Sequence, residues 1–243
     1  MAEGERPAFY ALRPGGWRDY WTLLHPPYTL WHLSYVAIGA SVATRIDARW
    51  LLETMLAFFL GVGLTAHALD ELRGRPLGSR IPDAVLWAIA AAGLAGAVAL
   101  GVDGAIEASG WIVVFIAAGA LLVVAYNLEA FGGRFHSDAW FALGWGAFPA
   151  LTSAFVQQGR VTFPAVLVAA ACALVSAAQR GLSTPVRRLR RHVVRVDGEL
   201  SFDDGRRVPL DAATIRAAPE TALRILSLAM PVLAAGLLLS RLL

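Results

Sequence analysis

The chain alternates long apolar runs with short polar breaks. The runs approach about 20 residues, the length a helix needs to cross a bilayer core of roughly 30 Å. About seven runs are legible, over Tyr28–Arg45, Trp50–Asp70, Asp83–Gly101, Ala108–Tyr126, Ala139–Val156, Phe163–Ala178 and Thr221–Leu239. The fifth and sixth are short or interrupted by Gly and Pro. Ahead of the first, GGWRDYWTLLHPPYTLW (Gly15–Trp31) is rich in Trp and Tyr. It predicts an interfacial segment over residues 1–27, broken at Pro26–Pro27 before the chain enters the membrane. Between the last two runs, HVVRVDGELSFDDGRRVPL alternates apolar and polar positions around the turn dipeptides Asp197–Gly198 and Asp204–Gly205. A small β-hairpin is expected within 192–210, with scope for a third short strand, followed by a short helix capped by Asp211 or Thr214. No internal repeat of fixed period is evident. The expected fold is an all-α polytopic membrane protein of about seven transmembrane helices, one domain over 1–243, with a β-hairpin insertion.

Composition supports this pattern. Apolar residues make up 57% of the 243 positions and charged residues 16%, against about a quarter charged in soluble domains. Glu3, Glu5, Arg6 and Arg13 precede any apolar stretch, so no cleavable signal peptide is expected. The 21 basic residues are all arginine. Without lysine, a retinal Schiff base and a P-loop are both excluded. One cysteine, Cys172, excludes an internal disulfide and a Cys-rich metal site; inside an apolar run it reads as a packing residue.

The N-terminal segment and the loops after the second, fourth and sixth runs carry 16 of the 21 arginines, and the opposite side carries Arg45, Arg49, Arg160 and Arg241. The excess predicts a cytoplasmic N-terminus and hairpin and an outside C-terminus, as in the plasma membrane of a prokaryote. Topology thus accounts for the basic residues, and nucleic acid is not an expected partner.

Three polar stretches at the arginine-rich edge could carry chemistry. The first is AHALDELRGRPLGSRIPD (Ala66–Asp83), where His67, Asp70 and Glu71 share a helix face at i, i+3 and i+4, followed by Arg73, Arg75 and Arg80. An ionisable residue at membrane depth costs about 2.5–3.5 kcal/mol, which makes these functional candidates; the alternative is a wet interface. The second, YNLEAFGGRFHSDAWFALGWGAFP (Tyr126–Pro149), offers Tyr126, Asn127 and Arg134, with His136 and Asp138. It is either an ordinary connector or a polar patch facing the first stretch across a cavity. The third, QRGLSTPVRRLRRH (Gln179–His192), places Arg187 and Arg188 in an arginine run. Such arginines anchor spans to anionic membrane lipid, or clamp a diphosphate through bidentate guanidinium contacts. Ser183–Thr184–Pro185 could start a helix whose amides face an anion. The histidines are scattered, with no HExxH, and no Gly-x-Ser-x-Gly elbow occurs.

In order and texture, residues 18 to 190 resemble the UbiA superfamily of intramembrane prenyltransferases. LLHPPYTLWHLSYVAIGA is similar to that family's lead-in to its first helix. AHALDELRGRPLGSRI falls where the family has its first Asp-rich motif, of N-D-x-x-D-x-x-x-D type. YNLEAFGGRFHSDAWFALGWGAFPAL falls at its Tyr-containing loop and Gly-rich fifth helix. The resemblance implies a UbiA-like bundle in which Asp-rich loops hold Mg²⁺ against the diphosphate of an isoprenoid donor. It assigns Asp70 and Glu71 to a metal or to acid/base work, and His67 to orienting a carboxylate or moving a proton. Arg73, Arg75, Arg187 and Arg188 would meet phosphate, with Arg80, Tyr126, Asn127 and Arg134 beside them. The chain departs from the pattern: only Asp70 matches a first-motif aspartate, Gly74 stands where the next would lie, and the second motif has no Asp. Either arginine replaces Mg²⁺ charge in a reduced site or prenyl transfer is lost. The expectation is therefore an enzyme acting on an isoprenoid diphosphate or related lipid by prenyl transfer or cyclisation. A non-catalytic lipid- or quinone-binding protein or scaffold is the main alternative, and a transporter a third.

Overall fold

A computed structural model describes residues 6–242; Glu3 and Glu5 lie outside them. Each predicted apolar run is helical. After α1 (Trp17–Leu23) come α2 (Pro26–Ala40), α3 (Ala48–Leu72), α4 (Asp83–Glu107), α5 (Ile112–Asn127), α6 (Asp138–Gln158), α7 (Phe163–Arg191) and α8 (Ala212–Leu242). Five of these, α3, α4, α6, α7 and α8, are long and apolar enough to cross a membrane. Helices α2 and α5, of 15 and 16 residues, are shorter.

Helix α2 explains its own brevity. Trp31, Tyr35 and Val36 are fully enclosed, and α2 packs against α6 and α8. It is apolar around its whole circumference, as a helix at the centre of a bundle must be. Pro26 and Pro27 occupy its first turn, where a missing N–H costs nothing. At Gly39 a Cβ would stand 2.0 Å from the Ala150 carbonyl oxygen, so the backbones of α2 and α6 touch there.

Two spans are not uniform α-helix. Phe59–Ala66 in α3 and Leu143–Ala147 in α6 are wound as π-helix, a form found mostly at functional sites. Within the first, the Thr65 hydroxyl lies 3.0 Å from the Leu60 carbonyl and 3.1 Å from that of Ala90 on α4, linking the widened turn to its neighbour. Helix α1 keeps Trp17, Tyr20 and Trp21 exposed. Its buried Asp19 accepts the Gly15 amide at 2.8 Å and the Arg80 amide at 3.0 Å, pinning α1 to the loop after α3.

The insertion after α7 is a two-stranded antiparallel hairpin, β1 (Glu199–Ser201) with β2 (Arg207–Pro209), Leu200 opposite Val208. Gly205 makes its turn at φ +81°. Asp197–Gly198 only leads into β1, and no third strand forms among the described residues. Two expectations are corrected. Asp211 does cap a helix, accepting the Thr214 amide at 2.6 Å, but that helix is not short: it runs 31 residues to Leu242. No helix starts at Ser183 either, because α7 continues through Pro185 to Arg191, so no N-terminal amides face an anion there. Ser183 and Thr184 donate instead to the Arg180 carbonyl, at 3.2 and 2.9 Å.

Candidate functional site

At the arginine-rich end, side chains from six places in the chain converge on a polar cup. The π-helical stretch of α3 gives way to regular helix at His67 and delivers His67 and Asp70. His67 lies against His25, at the left-handed turn between α1 and α2 (φ 46°, ψ 54°), with ring centroids 4.2 Å apart and planes 24° apart. A non-glycine residue held there costs about 1–3 kcal/mol, which the surrounding packing must impose. Tyr10 shares a short hydrogen bond with His25 Nδ1. Burial, with His67, Arg191 and Arg187 nearby, holds the His25 imidazole well below its ordinary pKa and therefore neutral. The same burial pushes the Tyr10 phenol up.

Asp70 is half-buried in this cup, within electrostatic reach of Arg187 and Arg191, with His136 and Glu71 also near it. Arg187 and Arg191 come from the last turns of α7, and His136 from the loop before α6. Tyr126, at the end of α5, closes the side: its ring lies 4.5 Å from His136, and its hydroxyl is buried without a hydrogen-bond partner among the described residues. Arg180 pairs with Asp138 at 2.8 Å and covers the Phe141 ring at 5.3 Å.

Beneath the cup lies an open apolar cavity walled by α3, α4, α5 and α6. From Trp50 to Val62 it follows α3 for about 18 Å at helical rise. Trp145, in the π-helical part of α6, lines the cavity and also sits 4.4 Å from the Tyr126 ring. Phe141 stacks on it at 5.8 Å. A belt of aromatic rings thus divides a cationic cup from an apolar cavity. Next to its distant end, Arg49 pairs with Glu53, Asp103 and Glu107 at 2.7, 2.8 and 2.5 Å and so joins α3 to α4.

Of the residues singled out in sequence, His67, Asp70, Tyr126 and Arg187 meet in the cup. Glu71 does not join them. It is fully buried, and its two oxygens accept the backbone amides of Leu77 at 3.0 Å and Ser79 at 2.9 Å. It shapes the loop that carries Arg73, Arg75 and Arg80. Arg73 pairs with Glu129 at 2.7 Å; Arg75 pairs with Asp83 and donates to the Ile81 carbonyl at 2.6 Å. Asn127 donates to the Val123 carbonyl at 2.7 Å within its own helix. Arg80, Arg134 and Arg188 point out and are exposed. The arginine run thus divides. Arg187 and Arg191 border the cup, whereas Arg190 is buried on Glu220 at 2.7 Å, tying α7 to α8. Tyr10 and His25 were not among the candidates, and His136 and Arg191 entered only as members of their polar stretches. Nothing in local spacing brings residue 10 beside residue 25; the left-handed turn at His25 does.

A magnesium site needs several hard oxygen donors at one point. Asp70 stands alone in the cup, Glu71 is committed to backbone amides, and among the described residues no three His, Cys, Asp or Glu side chains converge. The donor set here does not fit a bound Mg²⁺.

No family model, no curated protein and no solved structure matches this chain.

Proposed function

We propose that the chain is a UbiA-like intramembrane enzyme that acts on an isoprenoid diphosphate or a related lipid, by prenyl transfer or cyclisation. In this reading all seven helices α2–α8 cross the membrane, the cup faces the cytoplasm of a prokaryotic cell, and the C-terminus lies outside. The observation that carries the reading is the junction at Trp145. An apolar cavity the width of a bilayer leaflet meets a cup bordered by Arg187 and Arg191 and by the unpartnered Tyr126 hydroxyl. Such a pair of compartments fits a ligand with a long apolar tail and an anionic head. Arg187 and Arg191 would neutralise a leaving diphosphate, the task the family gives to Mg²⁺, and Tyr126 would donate to it. Asp70 would keep the two guanidiniums oriented.

The test is diphosphate release from farnesyl and geranylgeranyl diphosphate by purified protein in lipid nanodiscs, with Mg²⁺ and with EDTA. Release is expected in both conditions and should fall at least tenfold in Arg187→Gln and Asp70→Asn. Tight binding of either diphosphate without release would instead favour the non-catalytic lipid-binding reading, which the lone carboxylate of the cup also suits. Absence of both binding and release would refute a prenyl-diphosphate site.

A further inference from the structure

The cup contains more than anion binding requires. His67 Nδ1 lies 3.1 Å from the Gly63 carbonyl oxygen. A carbonyl only accepts, so Nδ1 carries a proton, and in the neutral ring Nε2 is then the nitrogen with the lone pair. Gly63 lies inside the π-helical stretch. His67 is half-buried, and Nε2 makes no hydrogen bond with a described residue; it is not sealed off either. One flat face of the ring is covered by His25, at 4.2 Å. To place that ring, the chain holds His25 in a left-handed backbone conformation and secures its Nδ1 with Tyr10. Strain spent on presenting one imidazole to another is characteristic of a functional site.

Nothing in binding a diphosphate needs an unprotonated imidazole; a protonated one would serve better. A neutral ring with a free Nε2 suits the opposite task. We propose that His67 is the proton acceptor of the cup, with His25 and Tyr10 as its positioning residues; this rests on the isoprenoid-diphosphate reading above. The allylic C–O bond breaks and its electron pair leaves on diphosphate. The resulting cation then loses a proton, either directly from a carbon beside the charge or from the acceptor it has alkylated. The C–H electrons form the new double bond or restore the acceptor, and the proton goes to the Nε2 lone pair. Asp70, three residues further along the same helix, offsets the imidazolium charge until the proton leaves with diphosphate.

The products formed without any acceptor test this. Farnesyl diphosphate is incubated with the nanodisc-embedded protein, and diphosphate, the elimination hydrocarbon with its new conjugated diene, and allylic alcohol are measured together. The native protein is expected to yield mainly the diene, because a base removes a proton from the cation faster than water captures it. In His67→Gln, the diene-to-alcohol ratio, read per diphosphate released, should fall at least tenfold. His25→Gln should lower that ratio in the same direction by a smaller factor, which keeps the idea testable if His67→Gln does not fold. An unchanged ratio in folded His67→Gln, or in His25→Gln where His67→Gln fails to fold, overturns the assignment while leaving the enzyme reading intact. No diphosphate release from the native protein overturns both, and shows as missing diphosphate rather than as an unaltered ratio.

Discussion

Asp70 and Glu71 are neighbours on one helical turn with opposite occupations. Asp70 lies within electrostatic reach of two guanidiniums in the cup, whereas Glu71 is sealed from solvent with both oxygens on backbone amides. A buried carboxylate that accepts two N–H groups organises a loop rather than a reaction. Glu71→Ala would orphan the amides of Leu77 and Ser79, at about 1–3 kcal/mol for each buried donor left unmade. The expected outcome is a clearly lowered Tm in detergent, with faster proteolysis between Arg73 and Arg80. Glu71→Gln retains one good acceptor and should fall between the native protein and Glu71→Ala. A Tm for Glu71→Ala equal to the native value would show that these amides find other partners. The sequence presents two adjacent acids at positions i+3 and i+4 from a histidine and cannot distinguish them. The discriminating partners, at 77 and 79, are reached only after a turn through Gly74 at φ +86°.

The elements were legible in sequence to the extent that hydropathy governs them. Each apolar run became a helix, and Asp204–Gly205 became the hairpin turn, because segment length and turn chemistry are local properties. The π-helical stretches FLGVGLTA and LGWGA were not legible, since they read as ordinary Gly-containing span. Gly146 in the second of them, like Gly39 in α2, marks close packing instead. A Cβ at Gly146 would lie 2.5 Å from the Cys172 carbonyl oxygen, and one at Gly39 2.0 Å from that of Ala150. Neither obstacle is the tip of a flexible side chain, so helices would have to separate. Gly39→Ala and Gly146→Ala are expected to destabilise by about 1–3 kcal/mol, the usual cost of overpacking. Gly236, with nothing within 4 Å, is the matched control. Gly236→Ala should be neutral or gain up to about 1 kcal/mol in helix propensity. Thermal melts of the three variants in one detergent decide the matter; equal behaviour would mean the α2–α6 and α6–α7 contacts are looser than this packing implies.

At the scale of the molecule, the cup gathers residues from Tyr10 to Arg191, a convergence no local window contains. What the sequence did carry was the sidedness of charge. The cup lies at the end of the bundle where arginine is abundant, and the Arg49 cluster at the end where it is scarce. If positive charge is retained on the cytoplasmic face, the hairpin and the cup share that face, and a hydrophilic diphosphate made inside the cell reaches the cup without crossing the bilayer. The prediction is direct because Cys172 is buried and slow to react. With Cys172→Ser as background, single cysteines at Gly205, in the hairpin turn, and at Gly159, in the exposed turn between α6 and α7, report opposite faces. In intact cells a membrane-impermeant maleimide should label the variant at 159 and spare that at 205, and permeabilised cells should label both. Labelling of 205 alone in intact cells would invert the bundle and place the cup outside. The arginine asymmetry would then need another explanation, and the substrate would have to arrive from the opposite face.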